Sequence, residues 1–226
     1  MRTHASSRRN VLPSGQGGFT LVEVVLVGLL LVAVLGSVAL VAGSSDRMYR
    51  TGSLSSQLEF QAGTTMERVC EELRKAGVDT LFPVPDEDVG SSSVQYVQAT
   101  ELVGGVVQWT PVRRLELELE VGEVDDGLDN NGNGLVDEGR LVLVEDAGAR
   151  RRVLTRWVAR YLEGEIANGV DDNGNGLIDE SGFSLEFQDG AVLVRLTLER
   201  RTTDGVLLRR TARSSVTPRN RLGGGG

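Results

Sequence analysis

The sequence predicts an α+β protein in which one long N-terminal helix lies on an antiparallel β-sheet. Three observations carry this. An apolar run from Phe19 to Ala42 passes into an amphipathic stripe that ends at Leu73. The second half alternates apolar and polar residues and closes with runs joined by Asp-Gly pairs. Between those runs, one acidic loop motif occurs twice.

The chain has 226 residues, enough for one such helix and one globular domain. Lys and Arg number 24 against 32 Asp and Glu, a formal net charge of -8. Residues 1–18 hold Arg2, Arg8 and Arg9 and no acid, so without them 21 bases face 32 acids. An acidic body lacks the basic patch that phosphate-backbone binding needs, so no nucleic-acid partner is expected. Cys70 is the only cysteine, which excludes an intrachain disulfide. A buried helix position is its simplest role. His4 is the only histidine and precedes Gly18, so the remainder has no imidazole for catalysis or for zinc or haem ligation. No G-x-S-x-G and no phosphate loop is present, and the chain is not expected to be an enzyme.

The helix begins with the most informative segment. Residues 1–18 are polar and basic, and the run Phe19–Ala42 is apolar apart from Thr20, Glu23, Ser37 and two glycines. About 20 such residues span a bilayer, and the preceding arginines should remain cytoplasmic, with the C-terminal body outside. A secretory signal has a shorter apolar region followed by its small residues; here Gly17 and Gly18 come first. A plain anchor leaves Glu23 unexplained, because a carboxylate in an apolar span costs up to about 3 kcal/mol.

Gly18-Phe19-Thr20-Leu21-Val22-Glu23 resembles the G-F-T-L-x-E processing site of the type IV pilin and pseudopilin superfamily. The resemblance implies a prepilin. A membrane prepilin peptidase would cut after Gly18 and methylate the amine of Phe19. Glu23 would then pair with the N-terminal amine of a neighbouring subunit, so that the two charges compensate only in register.

Past Ala42, Leu54, Leu58, Met66, Val69 or Cys70, and Leu73 recur at spacings of three or four. Lys75 and Gly77 mark the stop. Gly43, Gly52 and nearby serines predict a kink or local melting. Pro83, Pro85, Asp86, Glu87, Asp88 and Ser91 to Ser93 read as a loop. Leu115, Leu117, Leu119 and Val121 alternate with Glu116, Glu118 and Glu120, predicting a strand with one buried and one acidic face. Further strands are expected at Leu141–Val144 and Val153–Tyr161. Three more follow at Phe183–Gln188, Ala191–Arg201 and Val206–Val216, joined by Asp189-Gly190 and Asp204-Gly205. The expected organisation is a leader (1–18), a helix (19–77, spanning the membrane over 19–42), a β-rich domain (78–220) and a flexible tail (221–226).

Two short segments narrow the resemblance. Glu72-Leu73-Arg74-Lys75-Ala76-Gly77 is similar to the D-L-R-x-A-G segment of PilW-like minor pilins, and Ser215-Val216-Thr217-Pro218-Arg219-Asn220 to their closing T-x-V-x-x-R-N. GspJ-like minor pseudopilins of type II secretion share the general plan.

The repeat runs from Gly127 to Glu138 and again from Gly169 to Glu180, with Glu123 and Glu165 also in correspondence. Its pattern, D-x-N-x-N-G-x-x-D-E, resembles the first nine positions of an EF-hand-type calcium loop. There, oxygens at positions one, three and five converge because glycine at six permits a sharp turn. The implied ligands are Asp129, Asn131, Asn133, the Leu135 carbonyl and Asp137, then Asp171, Asn173, Asn175, the Leu177 carbonyl and Asp179. The closing glutamate of a full loop would fall at Arg140 and Gly182, which cannot serve; Glu138 and Glu180 are the nearby substitutes. Two calcium sites are therefore expected, with affinities of about 10⁻⁴–10⁻³ M. Asn, Asp and Gly also dominate turns, and surface turns that bind nothing are the competing account. Arg150–Arg152 and Arg209–Arg210 are read as solvated strand faces or partners for these acids.

The functional expectation is a minor pilin or pseudopilin, held first in the inner membrane with its C-terminus periplasmic. It then joins other subunits in a periplasmic or cell-surface fibre. A type II secretion minor pseudopilin and a calcium-dependent adhesive module exported by the pilin route are the alternatives.

Overall fold

The computed structural model describes residues 18–82 and 90–220. The expected leader before Gly18, the loop residues Pro83 to Asp88 and the tail 221–226 lie outside the described residues. The chain forms two compact units, Met1–Met48 and Tyr49–Gly226. Helix α1 (Leu21–Arg74) contributes to both. It is followed by nine strands: β1 (Ser93–Tyr96), β2 (Ala99–Val103), β3 (Val106–Trp109), β4 (Arg113–Leu119), β5 (Gly139–Glu145), β6 (Arg150–Val158), β7 (Phe183–Gln188), β8 (Ala191–Arg201) and β9 (Leu207–Val216).

In the first unit α1 is apolar on every side. Its large side chains from Leu21 to Val41 are 55–82% exposed, and the helix is long and apolar enough to cross a membrane. The expected local melting near Gly43 and Gly52 does not occur; α1 is helical through both. Each glycine costs a helix only about 1 kcal/mol. The serines do not compete with the helix either: Ser37 and Ser44 donate back to the carbonyls of Val34 (2.7 Å) and Val41 (2.9 Å).

In the second unit the helix turns amphipathic. Leu58, Ala62, Met66, Val69, Cys70 and Leu73 are buried against Val94, Tyr96, Leu115, Leu141, Leu143, Leu185 and Leu196 of the sheet. Burying each large aliphatic side chain contributes about 1.5–3 kcal/mol. Cys70 is a buried free thiol within this stripe. The core thus joins the C-terminal half of α1 to the strands, and the compact unit begins at Tyr49 rather than at the helix end.

The sheet runs in the order β1-β4-β5-β6-β8-β7, with β9 also paired to β8, and the pairings are antiparallel. β2 and β3 form a separate hairpin across Gly104-Gly105. It was not apparent from the sequence, and it leaves Leu102, Val103 and Val106 exposed. Asp189 and Gly190 both have positive φ (51° and 80°), as the tight turn between β7 and β8 requires.

Two expected strands end differently. The alternation in β4 stops at Leu119: Val121 is exposed and Glu120 is buried. The Glu120 amide donates to the Glu138 carbonyl (2.9 Å), which turns the chain out of the strand and into a loop. β6 starts at Arg150, where Arg150, Arg151 and Arg152 face Glu145, Val144 and Leu143, and stops at Val158. Trp157 has φ of 60°, and Tyr161 makes only an isolated bridge to Ser181.

Gly139 pairs with both Leu119 and Val158, so the end of β4, the start of β5 and the end of β6 coincide. Both acidic loops therefore leave the sheet at one end: the first between β4 and β5, the second between β6 and β7. At the opposite end of β8, Val192 faces Val216, and the chain beyond β9 returns to the helix terminus. Asn220 Nδ2 donates to the Lys75 carbonyl (2.8 Å), and the Val78 amide donates to the Asn220 carbonyl (2.8 Å). The two segments singled out by resemblance are thus in direct contact.

One carboxylate organises this corner. Glu72 Oε2 accepts from Gln98 Nε2 (2.8 Å) and from the Tyr96 hydroxyl (3.2 Å), and pairs with Arg113 (2.9 Å). Burial, reinforced by the charge of Glu72, pushes the Tyr96 phenol far above its ordinary value. Glu72→Ala should destabilise the chain by about 2 kcal/mol, because it strips three partners of their acceptor at a partly buried site. Thermal unfolding of the full chain in detergent checks this. An unchanged midpoint would mean that solvent already satisfies Tyr96, Gln98 and Arg113.

Candidate functional site

Two loci carry the residues of interest. At the first, Gly18 and Phe19 precede α1 and are exposed, Phe19 to 82%. The Thr20 hydroxyl accepts from the Glu23 amide (3.2 Å), which caps the helix. Thr20-x-x-Glu23 is the spacing of a capping box, the sequence signal for this cap. Glu23 lies in the first turn of α1, where the positive end of the helix dipole favours a carboxylate.

At the second locus the repeat in sequence is a repeat in space. Asp129 Oδ1 accepts from the amides of Gly132 (2.7 Å) and Asn133 (3.1 Å), and its Oδ2 from Gly134 (2.8 Å). Asp171 makes the same bonds to Gly174 (2.7 Å), Asn175 (3.1 Å) and Gly176 (2.8 Å). Gly134 and Gly176 have φ of 89° and 93°, a conformation that favours glycine at position six. The Leu135 and Leu177 amides donate to the Asn133 and Asn175 side-chain oxygens, and both leucines are buried. Below each turn a buried glutamate takes a backbone donor: Glu123 from Asn131 (2.9 Å) and Glu165 from Asn173 (2.9 Å). Their recurrence 42 residues apart, in step with the motif, is the sequence signal for that role.

The ninth-position aspartates face away from the turn. Asp137 accepts from the amides of Asp126 and Gly127 and contacts Arg160; Asp179 accepts from Asn168 (3.0 Å) and Gly169 (2.8 Å). Both have positive φ, 50° and 51°. The tenth-position glutamates face in. Glu138 Oε1 accepts from Asn131 Nδ2 (2.9 Å) and Asn133 Nδ2 (2.5 Å); Glu180 Oε1 accepts from Asn173 Nδ2 (3.2 Å) and from Asn175 Nδ2. Asp129, Asn131, Asn133 and Glu138 are thus brought together, as are Asp171, Asn173, Asn175 and Glu180, while Asp137 and Asp179 fasten the loop ends. Among the described residues, no three Asp, Glu, Cys or His side chains converge on one point.

The arginine runs have other partners. Arg151 pairs with Glu116 and Glu118, Arg152 with Glu72, Arg209 with Glu199 and Arg210 with Glu59. Arginines outside those runs reach the first loop. Arg160 joins Asp137 to Asp125, and Arg201 Nε donates to the Gly134 carbonyl (2.5 Å).

No family model matches the chain, and no curated protein or solved structure is significantly similar to it. The architecture itself, a long apolar N-terminal helix followed by a β-rich domain, is consistent with a pilin-like plan.

The amide of Gly176, then those of Gly174 and Asn175, hold the Asp171 carboxyl below its ordinary value of 3.8. A depressed carboxylate stabilises the fold above its unfolded-state pKa and loses that contribution as pH falls through the folded value. In an NMR titration, the Gly174 and Gly176 amide resonances should therefore inflect together below pH 3.8. An inflection at or above that value would show that the turn does not hold Asp171 in its charged form.

Proposed function

We propose that the chain is a minor pilin or pseudopilin. It would be cut after Gly18 by prepilin peptidase and built through its apolar helix into a type IV pilus-like fibre, or prime such a fibre. The observation that carries this reading is α1 itself. From Leu21 to Val41 it is apolar on all faces and unburied, bears one acid at Glu23, and follows Gly18-Phe19-Thr20. A membrane accommodates those side chains before assembly, and neighbouring helices do so afterwards. Contact between the Glu72–Gly77 and Ser215–Asn220 segments adds support, because the two sequence resemblances meet at one structural corner. Genes flanking the coding sequence would distinguish a pilus component from a type II secretion pseudopilin.

Calcium is the proposed ligand of the two loops. A site that binds only the folded state adds RT ln(1 + [L]/Kd), about 1.4 kcal/mol at tenfold excess over Kd. Two sites should raise the melting temperature of the full chain by several degrees at millimolar calcium. A second reading, a calcium-dependent adhesive module, draws on a recess that residues of both loops line, Leu135 of the first and Glu165 of the second, together with Arg160, Tyr161, Glu199 and Arg209. Substitutions there that abolish adhesion but leave fibres intact would favour it.

Mass spectrometry of protein recovered from its native host should show an N-methylated Phe19 as the first residue. An intact leader in assembled material would refute processing. Glu23→Ala should insert into membranes at least as well as the parent, since a charge leaves an apolar span. It should be recovered poorly in fibres, because a neighbour's amine loses its counter-charge; normal recovery would remove the register role from Glu23.

A further inference from the structure

We infer that each acidic loop seats one hard, oxygen-seeking divalent cation on its tenth-position glutamate, Glu138 in the first loop and Glu180 in the second. The neighbouring Asp137 and Asp179 act as structural fasteners and not as ligands. The inference rests on the calcium reading and narrows the ligand set that the EF-hand resemblance implies, making the substitute glutamates the seat and removing the ninth-position aspartates.

Glu138 is fully buried and Glu180 is 1% exposed. In each, Oε1 is occupied by two asparagine amides, while Oε2 is buried with no hydrogen-bond partner. A buried carboxylate oxygen without a donor is costly. Here the same unmet oxygen occurs twice, at equivalent positions of a repeat. In the second loop Asn173 Oδ1 is also buried and unpartnered, on a side chain that touches Glu180. These oxygens belong to side chains held against the turn by the asparagine amides, and their unmet valence calls for a positive charge.

Among the described residues, no basic side chain pairs with either glutamate. Arg160 is engaged by Asp137 and Asp125, and Arg201 by the Gly134 and Gly205 carbonyls. A cation from outside the chain would supply that charge, and the asparagines would complete its seat. Turning an amide about its terminal torsion exchanges Nδ2 for Oδ1, so Asn131 and Asn133 present oxygens toward Glu138 in place of donors, giving up the bonds from the Asn133 and Leu135 amides. The seat is then one carboxylate with amide oxygens. It has no nitrogen or sulfur ligand, a feature that suits calcium better than zinc. A single anionic ligand also implies weak, millimolar-range binding.

Asp137 and Asp179 lack this free valence. Both oxygens of each carboxylate already accept backbone amides, and these bonds tie position nine to the loop entrance at Gly127 and Gly169. Their substitution should loosen the loop without removing the seat.

Titration calorimetry and thermal unfolding of the full chain in detergent, with calcium chloride or with EGTA, test this. The parent should bind two calcium ions, with a smaller response to magnesium. Glu180→Gln should reduce the stoichiometry to one, and Glu138→Gln with Glu180→Gln should abolish binding and the calcium-dependent rise in melting temperature. In EGTA that double variant should melt no lower than the parent, because an uncompensated charge has gone. Asp137→Asn with Asp179→Asn should melt lower in EGTA yet still bind two ions. If the parent binds none, the calcium reading falls and buried water is left as the partner of Oε2. If the parent binds two and the glutamine variants also bind two, calcium stands and the glutamate seat is overturned. Two bound ions in Glu180→Gln alone would overturn it as well, even if the double variant failed to fold.

Discussion

The packing of the second half of α1 against the sheet is the constraint on which the rest of this domain depends. Leu58, Ala62, Met66, Val69 and Leu73 supply one wall of the core, and none of the strands has another helix to cover it among the described residues. Loss of that stripe would expose the inner faces of β4, β5, β7 and β8 together. The helix is fixed at its C-terminal end by polar contacts that apolar packing cannot provide. Glu72 sets its rotation relative to β1 and β4, and Asn220 draws the end of the chain back onto the last turn. Apolar area gives the stability, and the carboxylate and amide give the register.

With the helix in place, the sheet can afford two long polar excursions at its other end. Each opens and closes on a backbone pair: Glu120 to Glu138 in the first loop and Leu162 to Glu180 in the second. Between these pairs, backbone amides are gathered on the side chains of Asp129, Asp137 and Glu123, or Asp171, Asp179 and Glu165. An acidic segment that organises its own amides needs little apolar burial; only Leu135 and Leu177 anchor each turn from within. This explains how loops with so many like charges keep one shape, and why Glu138 and Glu180, with one oxygen left over, stand apart from the acids between these pairs.

Much of this was legible in the sequence, because periodicity reports burial directly. The spacing of Leu58, Met66, Val69 and Leu73 identified the buried helix face, and Asp189-Gly190 marked the hairpin between β7 and β8. The Gly127–Glu138 and Gly169–Glu180 segments announced a paired structure. Local patterns failed where a distant contact decides. β4 ends before Val121 because Glu120 bonds to Glu138 across the loop, and no alternation encodes that. The β2–β3 hairpin escaped notice because its two strands bury little on either face, so Leu102 to Val106 show no clean period. In the loops, the motif marked two equivalent turns but not which acid points inward. That is set by positive φ at Asp137 and Asp179, which turns each carboxylate toward the loop entrance and delivers the next side chain to the interior.

The two halves of α1 show how one helix can serve two solvents. From Leu21 to Val41 the apolar side chains face outward all round, which water does not tolerate and a bilayer or a bundle of similar helices does. From Leu58 onward the apolar residues narrow to one stripe, and Glu59, Glu67, Arg68 and Glu71 take the exposed side. The change occurs within one helix, so the side-chain pattern selects the surroundings. Glu23 is the exception that gives the first half its specificity. An all-apolar segment would associate in any register, whereas a carboxylate in the first turn penalises every arrangement that leaves it without a cation. On the proposed reading, that cation is a neighbour's terminal amine, created only by cleavage before Phe19. The same logic governs the loops at the other extreme of polarity. A carboxylate in an apolar span or a buried turn is favoured where a matching charge can reach it, and on the proposed reading that charge comes in both places from outside the chain.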